Sequence, residues 1–145
     1  MASAKRKQGT PDLRALEDTL VEAALEARKK AYAPYSGFLV GAALLTESGE
    51  IVGGCNVENA SYGLSICAER TAVARAVAQG HQHFTMVAVA TQSSPPSPPC
   101  GVCLQTLAEF ETDLRVVLVN PQGERARLQL TTLLPVRFQK KSLED

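Results

Sequence analysis

Two short cysteine motifs constrain this chain more than any other feature of its sequence. The first is Cys67-Ala68-Glu69-Arg70, and the second is Pro99-Cys100-Gly101-Val102-Cys103. Together they offer three thiols and one carboxylate. A zinc ion held by three protein side chains keeps a fourth position open, and an open position is typical of catalytic rather than structural zinc sites. The fold must therefore bring these two distant segments to one point.

Glu69 is placed in the sequence to act on water at such a site. It follows Cys67 by two residues, which is too close in a helix for a natural fourth ligand but suits contact with a bound water. Zinc lowers the pKa of its water towards ~7, and a carboxylate can take the proton and pass it to a leaving group. Cys or His, any residue and Glu, followed later by Pro-Cys-x-x-Cys, is the signature of zinc deaminases that act on cytosine and adenine rings.

Other interpretations of the cysteines remain open at this point. Cys100 and Cys103 alone could be a redox pair, or the three thiols could be buried without a metal. Cys55 could also complete a structural site with four thiolates, although such a site would leave Glu69 without a role. We expect one zinc ion on Cys67, Cys100 and Cys103, with Cys55 uninvolved.

Short apolar strands alternate with helices along the chain. Helices are predicted over about 11–31, 67–79, 100–110 and 131–134, and strands over 38–46, 51–56, 86–90, 115–119 and 125–130. The first helix is expected to start at Thr10-Pro11-Asp12, with a capping hydroxyl and Pro in the first turn. This alternation predicts a central sheet covered by helices on both faces. The helices that start near Cys67 and Cys100 would then meet at one rim of the sheet, where their dipoles favour thiolates.

Length and charge limit the class of protein and its partners. A chain of 145 residues suits one domain, and we expect a disordered tail over 1–9 followed by a single zinc-dependent domain over 10–145. Its formal net charge is zero, whereas nucleic-acid binders usually carry a basic excess on one face. The sequence has neither an apolar run near the ~20 residues of a membrane span nor a signal-peptide pattern. We therefore expect no nucleic-acid or membrane partner and a cytoplasmic location.

The chain resembles the small, homo-oligomeric cytidine deaminases. The likeness runs from Tyr35-Ser36-Gly37-Phe38 through residues 54–62 and both cysteine motifs to Leu133-Leu134-Pro135 and Phe138. The resemblance implies a three-layer α/β/α fold with a central mixed five-stranded sheet, zinc on the three cysteines, and Glu69 as the proton shuttle. It also implies a homotetramer whose pockets are completed by neighbouring subunits. The implied substrate-binding residues are Phe38, Asn56, Glu58, Tyr62, Ala68 and Phe138.

Asn56 and Glu58 support a sugar site independently of the resemblance. A carboxylate accepts hydrogen bonds and an amide both donates and accepts them, which suits the vicinal hydroxyls of a ribose. The two residues have the same parity in an extended segment, so their side chains are expected on one side.

The predicted reaction is hydrolytic deamination of cytidine and 2′-deoxycytidine, which releases ammonia in pyrimidine salvage. Activated water attacks C4 of the cytosine ring, while Glu69 protonates N3 and then the departing amine. Two alternatives remain open. One is a deaminase of a modified cytosine nucleoside, of the blasticidin type, and the other is a non-enzymatic, zinc-stabilised binding protein.

Leu104 is the clearest departure from the pattern of the resembled family, whose members commonly carry Arg there. Three thiolates make the shell around the metal anionic, which raises the pKa of its water. We expect Arg70, a positively charged neighbour of the ligands, to donate hydrogen bonds to the sulfurs and balance this charge. The open alternative is that Leu104 packs in the core and another cation compensates.

Overall fold

The computed structural model describes residues 12–144, in which five strands and four α-helices alternate. The strands are β1 (Gly41–Thr46), β2 (Ile51–Cys55), β3 (Phe84–Ala90), β4 (Arg115–Val119) and β5 (Arg125–Gln129). The helices are α1 (Leu13–Arg28), α2 (Ala68–Ala78), α3 (Gly101–Phe110) and α4 (Leu130–Leu133). Two 3-10 turns that were not predicted lie at Tyr62–Leu64 and Lys140–Leu143. The predicted tail, Thr10 and Pro11 lie outside the described residues.

The strands form one mixed sheet in the order β2-β1-β3-β4-β5. β1 is antiparallel to both β2 and β3, whereas β3 and β4 are parallel and joined through α3. β5 closes the far edge as an antiparallel partner of β4. A parallel pair in the middle of a sheet needs helices on both faces to cover its apolar side chains. The predicted mixed five-stranded sheet is confirmed.

Helices cover both faces of this sheet and give it three layers. On one face, Leu20, Val21 and Ala24 of α1 pack against β1, β3 and β4. On the other face, α2, α3 and α4 bury their apolar side chains against the alternate residues of the same strands. The predicted three-layer α/β/α fold is therefore correct. Among the described residues, the helices are all too short or too polar to cross a membrane.

Close backbone contact sets how α2 lies on the sheet. A methyl group at Gly54 would come within 2.4 Å of the backbone nitrogen of Ala72 and 2.8 Å of the carbonyl oxygen of Ala68. Only a residue without a side chain allows this approach. Because Cys67 and Glu69 stand at the start of α2, the glycine in β2 helps to fix their distance from the sheet.

The first helix is shorter at both ends than predicted. Asp12 is its N-cap, and the Asp12 carboxylate accepts a hydrogen bond from the backbone nitrogen of Arg14. The helix ends at Arg28 rather than near residue 31. Past this point the backbone of Tyr32 pairs with Asn56 and Glu58, so the chain leaves the helix to join the segment that follows β2.

The first strand begins at Gly41 rather than at Phe38. The amide of Asn56 explains the difference, because it accepts a hydrogen bond from the Val40 nitrogen at 2.9 Å and donates one to the Phe38 carbonyl at 2.8 Å. A side chain thus takes the place of a strand ladder over residues 38–40. The segment is held away from the sheet, and Phe38 is directed into the pocket described below.

Candidate active site

The three cysteines of the two motifs meet where α2 and α3 begin. Cys67 is the N-cap of α2, Cys100 is the N-cap of α3, and Cys103 lies in the first turn of α3. Neither N-cap thiol makes a capping hydrogen bond, so both are available for other contacts. The three sulfur atoms lie within 4.8 Å of one another. The positive ends of two helices therefore converge on one group of sulfurs, which favours the thiolate form.

This donor set fits a zinc ion. Zinc binds thiolate sulfur at about 2.3 Å, so tetrahedral ligands stand about 3.8 Å apart, and a small inward shift of the sulfurs would meet that distance. Cys103 is buried, whereas Cys100 is exposed, which leaves one side of the group open. Cys55 stands outside the group, and its Sγ lies 3.6 Å from the carbonyl oxygen of Lys30. The geometry matches a site with three ligands and an open position.

The thiols already differ in acidity. The pKa of Cys67 is lowered to about 6, chiefly by its interaction with the neighbouring Cys103 thiol, and the charge of Arg70 lowers it further. The pKa of Cys103 is raised, first by the same interaction with Cys67 and then by burial. Across residues 12–144, no hydrogen bond joins Arg70 to the three sulfurs, and the expected bonds to metal-bound thiolates stay a prediction. The guanidinium acts on Cys67 through its charge.

Glu69 is nearly buried, with 5% of its surface exposed. Burial raises the pKa of its carboxyl group, because a charged carboxylate loses hydration in such a site. The Cys103 thiol donates a hydrogen bond to Glu69, with 3.3 Å between Sγ and Oε2. A carboxyl group in this position reaches the space beside the sulfurs and titrates closer to neutral pH than an exposed one.

A pocket of about 360 Å³ opens over the sulfurs, a size typical of sites for small molecules. It brings together the three cysteines, Glu69 and four of the six residues predicted to bind substrate. Its walls are mainly apolar, with a few polar groups at the two ends. The lining residues are Ser36, Phe38, Val40, Asn56, Glu58, Ser65, Ile66, Cys67, Ala68, Glu69, Thr91, Ser97, Pro98, Cys100 and Cys103.

Two polar residues of the pocket lining, Glu58 and Asn56, are held in place by hydrogen bonds to the segment 35–40. Glu58 accepts hydrogen bonds from the backbone nitrogens of Tyr35 and Ser36, at 2.9 and 3.1 Å, and from the Ser36 hydroxyl. These bonds, the Ser36 hydroxyl first, hold the pKa of the Glu58 carboxyl below its usual range. Asn56 is fixed by its two bonds to Phe38 and Val40. Each side chain still has free hydrogen-bonding capacity, so both can bind a ligand without first being ordered.

Two predicted substrate residues lie outside this pocket. Tyr62 is 74% exposed and borders an adjoining cleft of about 320 Å³, where its ring meets that of Tyr35 at 5.8 Å. Phe138 is 60% exposed, and its carbonyl oxygen accepts a hydrogen bond from Gln105 at 2.9 Å. A single chain therefore does not bring these two aromatic rings to the pocket.

Sequence reasoning missed the hydroxyl-bearing wall of the pocket, formed by Thr91, Ser97 and Pro98. Thr91 directly follows β3, and ligands of open α/β sheets bind beyond the carboxyl ends of the strands. That rule could have identified Thr91. Leu104, in contrast, is 8% exposed and packs in the apolar cluster beneath α3, as the open alternative for this residue proposed.

Comparisons with known proteins agree with this geometry. Residues 15–119 match the family model described as the cytidine and deoxycytidylate deaminase zinc-binding region. A cytidine deaminase of Halalkalibacterium halodurans is 44% identical over 127 residues, which cover 87% of this chain and 96% of the relative. A blasticidin-S deaminase of Bacillus cereus is 30% identical over 107 residues, which cover 68% of this chain and 76% of that protein.

Solved structures show the same likeness in three dimensions. The crystal structure of a cytidine deaminase from Burkholderia pseudomallei has a TM-score of 0.81 at 50% identity and covers 83% of this chain and 98% of its own. That of a cytidine deaminase from Mycobacterium tuberculosis has a TM-score of 0.71 at 38% identity, with 84% and 96% covered.

Proposed function

The chain belongs to the family of cytidine and deoxycytidylate deaminases, and we propose that it hydrolyses cytidine and 2′-deoxycytidine to the corresponding uridine nucleosides and ammonia. The observation that carries this proposal is the position of Glu69. Its carboxyl group lies 3.3 Å from the Cys103 sulfur, inside a pocket whose other end carries Asn56 and Glu58. One cavity thus joins a metal-binding group, a proton carrier and a polar end that suits a sugar.

The proposed chemistry divides between the metal and Glu69. Cys67, Cys100 and Cys103 would hold the zinc ion, which when bound would supply a water with a pKa lowered towards ~7 for attack on an electron-poor ring carbon. Glu69 accepts a proton from the attacking water and donates it to N3 of the ring. It then carries a second proton to the amine at C4, which leaves as ammonia while the carbonyl forms. The raised pKa of this carboxyl group supports both the accepting and the donating role.

The polarity of the pocket supports one orientation of the substrate. The base lies over the sulfurs with C4 near Glu69, and the ribose lies between Asn56 and Glu58, with Phe38 against the nucleoside. Among the described residues that line the pocket, none is Lys or Arg, and the two carboxyl groups are Glu58 and Glu69. An anionic 5′-phosphate would be repelled there. We therefore propose a nucleoside substrate rather than a deoxycytidylate nucleotide.

The proposed substrate is tested by comparing initial rates with cytidine, 2′-deoxycytidine, cytidine 5′-monophosphate and blasticidin S. We expect comparable kcat/KM values for the two nucleosides and a much lower value for the nucleotide, because its phosphate would face carboxyl groups in a pocket lined by no Lys or Arg among the described residues. A higher kcat/KM for the nucleotide or for blasticidin S would reject the proposed substrate class.

We also propose a homotetramer, in which Phe138 of one subunit reaches the pocket of another. The exposure of Phe138, and its attachment to α3 through Gln105, support a ring held ready for a contact outside its own chain. Sedimentation should give four chains per particle, and Phe138→Ala should raise the KM for cytidine. A fully active monomer would contradict the assembly.

The proposed setting is pyrimidine salvage in the cytoplasm. A site that depends on three reduced thiols suits a reducing compartment, and conversion of a free cytidine nucleoside to a uridine nucleoside suits the salvage of pyrimidine nucleosides.

A further inference from the structure

Three hydroxyl groups form a hydrogen-bonded chain in the wall of the pocket. The Oγ atoms of Thr91 and Ser93 are 3.0 Å apart, and those of Ser93 and Ser97 are 2.6 Å apart. Thr91 and Ser97, at the two ends of the chain, line the pocket, whereas Ser93 is not among the lining residues. Ser97 precedes Cys100 by three residues, and both residues line the same pocket.

The backbone around the hydroxyl chain is fixed from β4 and from within the segment itself. Asn120 is fully buried, and its Nδ2 donates to the Ser93 carbonyl at 3.1 Å. The backbone nitrogen of Thr91 donates to the carbonyl of Val119 at 3.0 Å, and that of Ser97 donates to the Thr91 hydroxyl at 3.0 Å. The three hydroxyls are thus held in a geometry that does not depend on a ligand.

The number of hydrogens on the three hydroxyls determines which hydrogen bonds they can make to a ligand in the pocket. Three hydroxyls carry three hydrogens, and the two links use two of them, so the third is left at one end. If the hydrogens run from Thr91 towards Ser97, Ser97 can donate to the pocket and Thr91 keeps a lone pair that can accept. If they run the other way, Thr91 donates and Ser97 accepts. The two arrangements interconvert by rotation of the hydroxyls, without any charged group.

The proposed reaction converts a hydrogen-bond donor at C4 into an acceptor, so the pocket wall near C4 has to bind both. The substrate carries an amino group at C4, which donates hydrogen bonds, whereas the product carries an oxo group, which only accepts them. A fixed donor or a fixed acceptor near C4 would leave one of these two groups unsatisfied, at a cost in binding. A wall that can reverse its hydrogen bonds satisfies both.

We propose that the chain formed by Thr91, Ser93 and Ser97 is a reversible hydrogen-bond relay that faces the C4 substituent. It accepts from the amino group of the substrate and, with its hydroxyls rotated, donates to the oxo group of the product. Each hydroxyl keeps its own hydrogen, so the step is a reorientation and not a proton transfer. Ser93 is a positioning residue, because it acts through the two hydroxyls that line the pocket. The proposal rests on the proposed deamination.

The experiment breaks the relay at its middle. Ser93→Ala removes the central hydroxyl and leaves the pocket lining intact, Ser93→Thr keeps a hydroxyl there, and Ser94→Ala changes a neighbouring serine that instead contacts Glu124. For each protein we would measure kcat and KM for cytidine and the inhibition constant of uridine. A pyridin-2-one ribonucleoside serves as the control ligand, since its ring has no polar group at the position of C4.

We expect Ser93→Ala to raise the KM for cytidine and the inhibition constant of uridine by about 3–10-fold, because the Thr91 and Ser97 hydroxyls lose the partner that orients them towards the ligand. The inhibition constant of the pyridin-2-one ribonucleoside, the zinc content and the melting temperature should not change. Ser93→Thr should restore both raised constants, and Ser94→Ala should match the wild type. Ser97→Ala, which removes one end of the relay, should show the same selectivity between ligands.

Several results would overturn the relay. Unchanged constants for cytidine and uridine in Ser93→Ala, equal weakening of all three ligands, loss of zinc, or failure of Ser93→Thr to restore binding would each do so. A wild-type protein that is inactive on cytidine would reject the proposed function and the relay together. An active wild type with an unaffected Ser93→Ala variant would reject the relay alone.

Discussion

The thiol of Cys103 donates a hydrogen bond to the carboxyl group of Glu69, with 3.3 Å between Sγ and Oε2. The contact joins the first turns of α2 and α3, which come from opposite sides of β3 in the sequence. It also places a buried carboxyl group, whose pKa is raised by burial, beside the Cys103 sulfur. This arrangement supports the proposed role of Glu69 as a proton carrier.

Replacement of this carboxyl group should separate catalysis from metal binding. Glu69→Gln keeps the size of the side chain but cannot take up a proton, so we expect kcat to fall by about 10²–10⁴-fold while zinc stays bound. Steady-state kinetics and metal analysis on the same preparation test this. Glu109→Gln, an exposed change on α3, is the control. Near-normal turnover in Glu69→Gln would reject the assigned role.

Replacement of Cys103 and replacement of Cys55 should have opposite outcomes for the zinc content of the protein. Cys103→Ser removes a ligand from the buried side of the group, and we expect most of the zinc to be lost after dialysis. Cys55→Ser should keep one zinc per chain, because the Cys55 sulfur lies outside the group and contacts Lys30. Metal analysis of both variants beside the wild type decides the matter. Loss of zinc in Cys55→Ser would favour a structural site with four thiolates.

Two neighbouring glycines of β2 offer a matched test of how α2 is held. A methyl group at Gly54 would collide with the Ala72 backbone at 2.4 Å, whereas one at Gly53 would make ordinary contacts at 3.7 and 3.8 Å. We expect Gly54→Ala to lower the free energy of unfolding by about 1–3 kcal/mol, the usual cost of overpacking. Gly53→Ala should change it much less. Urea denaturation of the two variants measures the difference, and equal stability would contradict the close packing of α2.

Arg70 should act on the metal site by its charge. Its guanidinium lowers the pKa of Cys67 without a hydrogen bond to any of the three sulfurs in the described part of the chain. We expect Arg70→Ala to weaken zinc binding by roughly 10-fold, at the lower end of the effect of groups that surround metal ligands. Arg70→Lys keeps the charge and should bind zinc nearly as well as the wild type. If Lys proves as harmful as Ala, the planar shape of the guanidinium matters instead.

The structure distinguishes between two interpretations of Leu104 that the sequence left open. From the sequence, Leu104 could be either a lost cation near the sulfurs or a residue of the core. Its burial in the cluster beneath α3 favours the second, so Leu104→Arg would place a cation among apolar side chains. We expect Leu104→Arg to lower the free energy of unfolding, because a buried unpaired charge is costly.

Sequence patterns correctly predicted the helices and strands whose bounds depend on neighbouring residues. β4 has the predicted bounds, and α2 and α3 begin within one residue of the prediction, because apolar runs and helix starts are read from neighbouring residues. The start of β1 was missed because the Asn56 side chain, distant in sequence, takes over its hydrogen bonds.

The same limit applies to the site. The meeting of Cys67, Cys100 and Cys103, with Glu69 beside them, could be predicted because the two motifs have the spacing of zinc-binding segments. Of the hydroxyl wall, Thr91 could have been found from its position directly after β3, whereas Ser97 could not, because it joins the pocket only once the segment that follows β3 is packed. The position of Tyr62 outside the pocket was also beyond sequence reasoning, since exposure depends on the whole fold. Phe138 was expected near the pocket of a neighbouring subunit, and that contact stays a prediction.

The central claim is that zinc held by the three cysteines deaminates cytidine, and its most direct test is the ultraviolet absorbance change of cytidine. The protein is assayed as the zinc-loaded form, after removal of zinc with a chelator, and after zinc is added back. We predict conversion to uridine with one ammonia per uridine, loss of activity with the chelator, and recovery with zinc. No conversion by the zinc-loaded protein, or full activity after zinc has been removed, would contradict the account.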